Sequence, residues 1–247
     1  MKASRAGDFT EQARYYALSR PDYPPELVHT LLATTATPPG ATVADLGAGT
    51  GISSRLLAAA GLHVIAVEPN AAMQAEAVAS AGVRWQDGSF EATGLATASV
   101  DWCVAAQAFH WADVPRALPE LHRALRPGGW FSVFWNDRET EASALLTETL
   151  ATIRAIVPGY EERYRERDWA SELVTGGWFG DVRPFELMHT VRMTRERYLN
   201  LWRSHNRLNA SAGPERFPLL LARIDALVPA GEFDIPYRCR AWSVRRA

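Results

Sequence analysis

The sequence predicts an α/β fold: a doubly wound, mostly parallel sheet of seven strands with an antiparallel C-terminal edge strand and a helical lid or insertion. Three observations point there. Apolar runs of strand length alternate with stretches of helical periodicity through residues 24–135, which implies parallel strands joined by crossover helices on both faces. A glycine-rich run, Gly47-Ala48-Gly49-Thr50-Gly51, stands between the first strand and the helix that follows it. Beyond Asn136 the alternation gives way to helical stretches with two isolated strands.

The first helix opens at Pro24-Pro25 and sets Leu27, Val28, Leu31 and Leu32 on one face; proline suits a first turn, where its missing donor would be unpaired anyway. Pro38-Pro39-Gly40 breaks it, and residues 42–46 form a short buried strand. Residues 52–60 are helix-forming, Gly61 supplies a left-handed stop, and residues 63–67 are a second strand that ends at Glu68. Residues 71–81 are expected as helix, with 83–85 and 100–106 as the third and fourth strands. Val114, Ala117, Leu118, Leu121 and Leu125 share a helical face, with Asp113 as N-cap and Pro127-Gly128-Gly129 as the stop. Pro119 should kink this helix or delay its start, because it removes a donor and crowds the preceding turn. Residues 130–135 are a fifth strand. Helices follow over 143–157, 161–175, 195–204 and 215–228, with a strand over 182–192. Residues 233–241 alternate apolar with polar and are expected to return to the sheet edge, where Pro236 is tolerated.

At 247 residues and 47% apolar content, the chain can bury a large core without disulfides or metals. Its net charge of -2, with basic residues spread along the chain, provides no stripe for a polyanionic backbone, so nucleic acid is not an expected partner. No run reaches the roughly 18 uncharged residues of a membrane span, and the expectation is a soluble, cytoplasmic protein. Cys103 and Cys239 stand far apart without ligand-spaced neighbours, so no disulfide and no metal site is expected. Nine tryptophans suit a core or the wall of an apolar pocket.

A glycine-rich strand-to-helix loop brings backbone close to a ligand, and an acid at the end of the next strand can take both hydroxyls of a ribose. Gly47, Gly49 and Gly51 supply the first and Glu68 the second. A dinucleotide fingerprint would place its third glycine where Ile52 stands, and a phosphate-cradling loop would follow its glycines with Lys and Ser or Thr. Asp45 at the mouth of the loop would repel phosphate but suits a ligand carrying an ammonium and a sulfonium. These mismatches oppose a nicotinamide oxidoreductase.

The stretches Val43 to Gly51, Glu68-Pro69, Gln107-Ala108-Phe109-His110-Trp111 and Leu125 to Gly129 closely resemble the successive motifs of class I S-adenosylmethionine-dependent methyltransferases. The segment Tyr16 to Pro24 resembles the opening of the small-molecule branch related to trans-aconitate methyltransferase. The resemblance implies a Rossmann-like cofactor-binding core over 36–136, an N-terminal helical cap over 1–35, and a C-terminal part over 137–247 that completes the sheet and forms an acceptor-pocket lid. It implies S-adenosylmethionine as cofactor and S-adenosylhomocysteine as product. Gly47, Ala48 and Gly49 would lie under the methionine part, Glu68 would take the ribose, and Pro69 and Met73 would flank adenine. The backbone at Ser89 and Phe90 would meet the adenine edge; many relatives have Asp where Ser89 stands. Gln107 would lie near the methionine moiety, with Tyr16 and Arg20 closing the site.

Each assignment has a plainer alternative. Tyr16 and Arg20 suit a structural tie for the N-terminal helix, and Gln107 a strand-end cap. His110 is either a general base or a wall residue among rings. Trp111, Trp135, Tyr198, Trp202 and His205, with His110, are the expected acceptor pocket, yet Tyr198 and Trp202 also have the i, i+4 spacing of a buried helix face. Their character favours an apolar or aromatic small molecule, while Arg192, Arg203 and His205 leave a carboxylate-bearing one open. A monomer or homodimer is expected. The rival to methyl transfer is a protein of the same fold that binds the cofactor for a rearrangement or cyclisation.

Overall fold

The computed structural model describes residues 9–160 and 163–247. Residues 1–8 of the expected N-terminal cap, and 161–162 of the expected helix over 161–175, lie outside the described residues. The elements are α1 (Ala13–Ser19), α2 (Pro25–Thr35), β1 (Thr42–Leu46), α3 (Ile52–Ala59), β2 (His63–Val67), α4 (Ala71–Ala75), β3 (Val83–Gln86), β4 (Val100–Ala106), α5 (Val114–Ala124), β5 (Leu125–Arg138), α6 (Ala144–Ile156), α7 (Trp169–Leu173), β6 (Phe179–Met193), α8 (Arg195–Arg203), α9 (Asn206–Leu227) and β7 (Phe233–Arg246).

The seven strands run in the order β3-β2-β1-β4-β5-β7-β6. The pairs β2·β3, β1·β2, β1·β4 and β4·β5 are parallel, helices linking β1 to β2, β2 to β3 and β4 to β5, and a loop linking β3 to β4. β7 opposes β5: Leu125 meets Arg246, Ser132 meets Ser243 and Glu139 meets Pro236, so one strand ascends as the other descends. Antiparallel β7 was anticipated, but its position was not. It lies between β5 and β6, and β6 forms the edge. The proline rule applied to the wrong strand: Pro184 marks β6 as the edge, while β7 buries every second residue from Ile235 to Ser243.

A buried polar ladder fixes that insertion. The Trp102 indole N–H donates to Ser132 Oγ at 2.9 Å, and Ser132 Oγ meets Ser243 Oγ at 2.7 Å, tying β4, β5 and β7 together. Ser132→Ala is expected to lower unfolding free energy by about 1–3 kcal/mol, because it leaves a buried indole N–H and a hydroxyl unsatisfied. Urea unfolding measures this, and an unchanged midpoint would show that both groups find other partners.

Two compact units result. One comprises Asp22–Asn136, Glu166–Leu187 and Cys239–Ala247. Within it α2 and α3 cover one sheet face, where Leu27, Val28, Leu31 and Leu57 pack on Val43, Val64, Trp102, Val104 and Phe134. Both cysteines are buried strand residues. The other unit comprises Met1–Pro21, Asp137–Arg165 and Met188–Arg238. Its core joins α6, α8 and α9 through Leu146, Ile153, Tyr198, Leu201, Leu208, Leu220 and Ile224. Among the described residues, no helix is long and apolar enough to cross a membrane.

Four helices differ from expectation, among them α9, which starts at Asn206 instead of 215. α4 stops at Ala75 instead of 81, because it buries Met73 alone and Val78 beyond it is exposed, so no apolar face sustains more turns. The expected helix over 161–175 is broken, since Asp168 accepts from the Ser171 N–H and hydroxyl and starts α7 afresh, and Gly176 and Gly177 at positive φ end it. α5 begins at Val114, not delayed by Pro119 as anticipated, and Pro119 forgoes the one bond an N–H there would give to the Pro115 carbonyl. Asp113 occupies the N-cap position of α5 without capping it; its own N–H donates to Glu91 Oε1.

Candidate functional site

Parallel strands present their C-terminal ends to one side of the sheet, where the loops after β1, β2 and β4 gather. The loop after β1 folds back on β2: the N–H groups of Gly47 and Ala48 donate to Val67 O at 2.9 and 3.2 Å. Gly47, Gly49 and Gly51 all have positive φ, which only glycine adopts readily. A Cβ at Gly47 would stand 2.8 Å from Ala108 Cβ and 3.1 Å from the Phe90 ring, and one at Gly49 would stand 3.2 Å from Met73 Cε. The loop after β4 and the side chains of Phe90 and Met73 therefore close on the glycine loop.

Glu68, at the end of β2, sits beneath this loop. Its Oε2 accepts from Gly49 N–H at 2.8 Å and its Oε1 from Asn70 N–H at 2.9 Å. Burial raises its pKa, and those two N–H groups partly oppose the rise. A carboxylate offers about four lone-pair sites, so two acceptor positions remain for a diol. Asn70 Oδ1 caps α4 through Ala72 and Met73 N–H, and Gln74 Nε2 donates to Glu68 O at 2.5 Å. Pro69 is exposed and Met73 is buried.

Asp45 is turned inward and is fully buried. Its Oδ2 takes the hydroxyls of Ser53 and Ser54 from the first turn of α3, at 2.7 and 2.5 Å. Its Oδ1 has no hydrogen-bond partner among the described residues. Burial pushes its pKa up to about 6, the serine hydroxyls pull it down, and the nearby Glu68 carboxylate raises it further. Thr50 Oγ1, in the same loop, is also buried without a hydrogen-bond partner among the described residues. The loop is thus backed by two coupled acids, while Arg55 donates to Thr50 O.

Ser89 Oγ donates to Glu91 at 2.9 Å, so its hydroxyl is engaged within its own turn. Phe90 is buried edge-on against Phe109. Gln107 adopts a left-handed φ of 56°, uncommon for a side chain that has a Cβ, and its Nε2 donates to Asn136 O at 2.7 Å. It caps the strand ends in the manner of the plainer alternative. His110 and Trp111 lie on a short turn after β4; His110 is half-buried and Trp111 is 38% exposed. His110 Nδ1 accepts the Trp135 indole N–H at 3.2 Å. Trp135 is fully buried and stacked on Trp169, so it is core and lines no open wall.

The remaining expected site residues belong to the other unit. Arg20 lies over the Tyr16 ring and donates to Ser204 Oγ at 3.1 Å, and Arg197 donates to Ser19 O and Arg20 O. Within that unit Tyr16 and Arg20 therefore tie α1 to α8. Tyr198 is fully buried with its hydroxyl on Thr149, and Trp202 packs edge-on against it, as the i, i+4 spacing of a buried face requires. His205 stacks on Trp202 and meets Tyr160 Oη at 3.2 Å.

Sequence reasoning missed the residues that hold the acids. Ser53 and Ser54 stand eight and nine positions after Asp45, on the inner side of a helix start, which is a usable signal. Asn70 and Gln74 follow from the capping preference of Asn and its spacing. No local signal links Trp135 to His110.

Residues 44–133 match a family described as methyltransferase domain. The chain is 41% identical over 128 residues to an uncharacterized methyltransferase of Mycobacterium tuberculosis, covering 50% of each chain. It is 43% identical over 101 residues to the malonyl-[acyl-carrier protein] O-methyltransferase of Pectobacterium atrosepticum, covering 40% of each. The chain thus spans about half the length, or less, of these curated relatives. A solved structure from Anaeromyxobacter dehalogenans, provisionally described as a type II methyltransferase, superposes with a TM-score of 0.64 at 25% identity over 92% of this chain and 97% of that one.

Proposed function

We propose that the chain, which matches a methyltransferase domain over residues 44–133, is a class I S-adenosylmethionine-dependent methyltransferase that transfers a methyl group to a small-molecule acceptor by in-line displacement. The observation that carries this reading is the acidic backing of the glycine loop: among the described residues, Glu68 keeps acceptor positions beyond its two N–H partners, and buried Asp45 has an unpartnered Oδ1. Two carboxylates there disfavour a pyrophosphate and favour a ligand with cationic groups and a ribose diol.

The cofactor supplies an already activated methyl on a sulfonium centre. The chain's own groups then have chiefly to align and to exclude water. Glu68 would accept the ribose hydroxyls, and the Gly47, Ala48 and Gly49 backbone would take the methionine part. Met73 and Pro69 would flank the adenine, and the backbone of Ser89 and Phe90 would meet its edge. Gln107 would approach the methionine moiety through its remaining amide oxygen, and Trp111 would offer a ring to the acceptor.

Calorimetric titration with S-adenosylmethionine, S-adenosylhomocysteine and NAD in parallel tests the reading. Binding of the two adenosyl-sulfur ligands and not NAD is expected; binding of NAD alone would return the glycine loop to a dinucleotide. A screen with labelled methyl groups then separates methyl transfer from the non-methylating alternative.

A further inference from the structure

We propose that Ser89 and Glu91 set the base specificity of the cofactor site: Glu91 accepts the Ser89 O–H, so Ser89 Oγ meets the ligand only as an acceptor and selects a purine with a 6-amino group over one with a 6-oxo group. The proposal deepens the methyl-transfer reading above and rests on it. In that reading the turn after β3 meets the adenine edge. The hydrogen bonds of the turn decide which edge group it takes and which it rejects.

The turn is pressed onto the strand that leads to Glu68. A Cβ at Gly88 would stand 2.8 Å from Val67 Cγ1 and 2.6 Å from Thr93 O, and Val67 is the last residue of β2. On the other side of Ser89 in the chain, the Phe90 ring would lie 3.1 Å from a Cβ at Gly47 of the glycine loop. Ser89 therefore stands between a contact beside the ribose acid and a contact with the loop. Its position is pinned: Ser89 N–H donates to Ala92 O at 3.0 Å, Gln86 Nε2 donates to Thr93 O at 2.7 Å, and the Thr93 N–H and hydroxyl donate to Glu120 Oε1 at 3.0 and 2.6 Å. Ser89 and Glu91 are both half-buried.

A serine hydroxyl has one hydrogen and two lone pairs, whereas a carboxylate has only lone pairs. The Ser89 hydrogen lies on Glu91 Oε2, at 2.9 Å, and one Ser89 lone pair takes the Glu91 N–H at 3.3 Å. Glu91 is itself fixed, because its Oε1 accepts the Asp113 N–H at 2.8 Å. One lone pair of Ser89 Oγ is left to a ligand, on an oxygen that the neighbouring carboxylate polarises. A 6-amino purine presents an N–H to it. A 6-oxo purine presents a second lone pair, and the two oxygens repel.

Calorimetric titration with S-adenosylhomocysteine and with its 6-oxo analogue, S-inosylhomocysteine, tests the proposal without an acceptor or turnover. The wild-type protein is expected to bind the adenosyl ligand at least about tenfold more tightly, because the 6-oxo group sets two lone pairs against each other in a partly buried contact. Ser89→Ala removes the acceptor and should lose most of that ratio. Glu91→Gln is the sharper variant. With its amide oxygen on the Asp113 N–H, its Nε2 faces Ser89 Oγ, which must then accept, and the Ser89 O–H is released to donate to the ligand. The 6-oxo analogue should therefore gain affinity while the adenosyl ligand loses it. Equal losses for both ligands in Glu91→Gln would reduce Glu91 to a structural tie and overturn the proposal. Equal binding of the two ligands by the wild-type protein would overturn it too, whether or not either variant folds, and would leave the cofactor reading standing. Binding of neither ligand by the wild-type protein would overturn the cofactor reading and the base specificity with it, so the two failures are distinguishable.

Discussion

Replacing Glu68 with alanine is expected to weaken S-adenosylmethionine binding at least about 100-fold. Hydrogen bonds to a charged group contribute about 1.5–3 kcal/mol each, and two ribose hydroxyls would lose theirs, which sums to about 3 kcal/mol or more. The same substitution frees the N–H groups of Gly49 and Asn70, so the glycine loop and the cap of α4 lose their shared anchor. Glu68→Gln keeps one oxygen and the side-chain volume, and a loss of about tenfold is expected for it. Calorimetry of both variants, with thermal unfolding as a control for folding, measures the effect. An unchanged affinity in Glu68→Ala would place the ribose elsewhere.

What was legible in the sequence is what short-range chemistry encodes. The strand, glycine loop, helix, second strand and acid fall within about thirty residues, and each part has a local cause: positive φ at glycine, burial of apolar runs, an acid where a strand ends. The position of β7 was not legible, because it is decided by partners more than a hundred positions apart. Trp102, Ser132 and Ser243 look like three unrelated residues until the sheet lines them up. Pro184 was a local clue to the edge strand, outweighed by the more visible Pro236. Asp45 was legible as an acid at the loop but not as a buried one, since its exposure depends on the side chains of Ser53 and Ser54 rotating toward it. Among the aromatics, the helical spacing of Tyr198 and Trp202 was the better guide, and both are core. Trp135 carried no such signature and proved to be a buried donor instead of a pocket wall.

The largest pH effect is expected at Asp45. Its carboxyl is held near pKa 6 instead of 3.8, chiefly because burial penalises the charged form. Between about pH 4 and 6 the unfolded chain loses this proton while the folded chain keeps it, so the stability it contributes is fully present below pH 4 and is lost as pH rises through 6. The shift of about two units corresponds to roughly 3 kcal/mol. Asp45→Asn has no such titration, so the unfolding free energy of wild type minus variant should fall by up to about 3 kcal/mol from pH 4 to pH 7 and then level off. Urea unfolding across that range measures it, and a flat difference would show that Asp45 titrates normally. Glu68 moves in the same direction, so the wild-type protein stores two acids that are costly to ionise behind one loop. A cationic ligand relieves that cost and favours the charged form. S-adenosylmethionine affinity should therefore rise by about tenfold between pH 5 and pH 7, with release of protons that calorimetry in buffers of different ionisation enthalpy detects, and Asp45→Asn should reduce both. The variant then gains stability at neutral pH and loses cofactor affinity, a pairing expected of a buried charge kept for binding and not for folding.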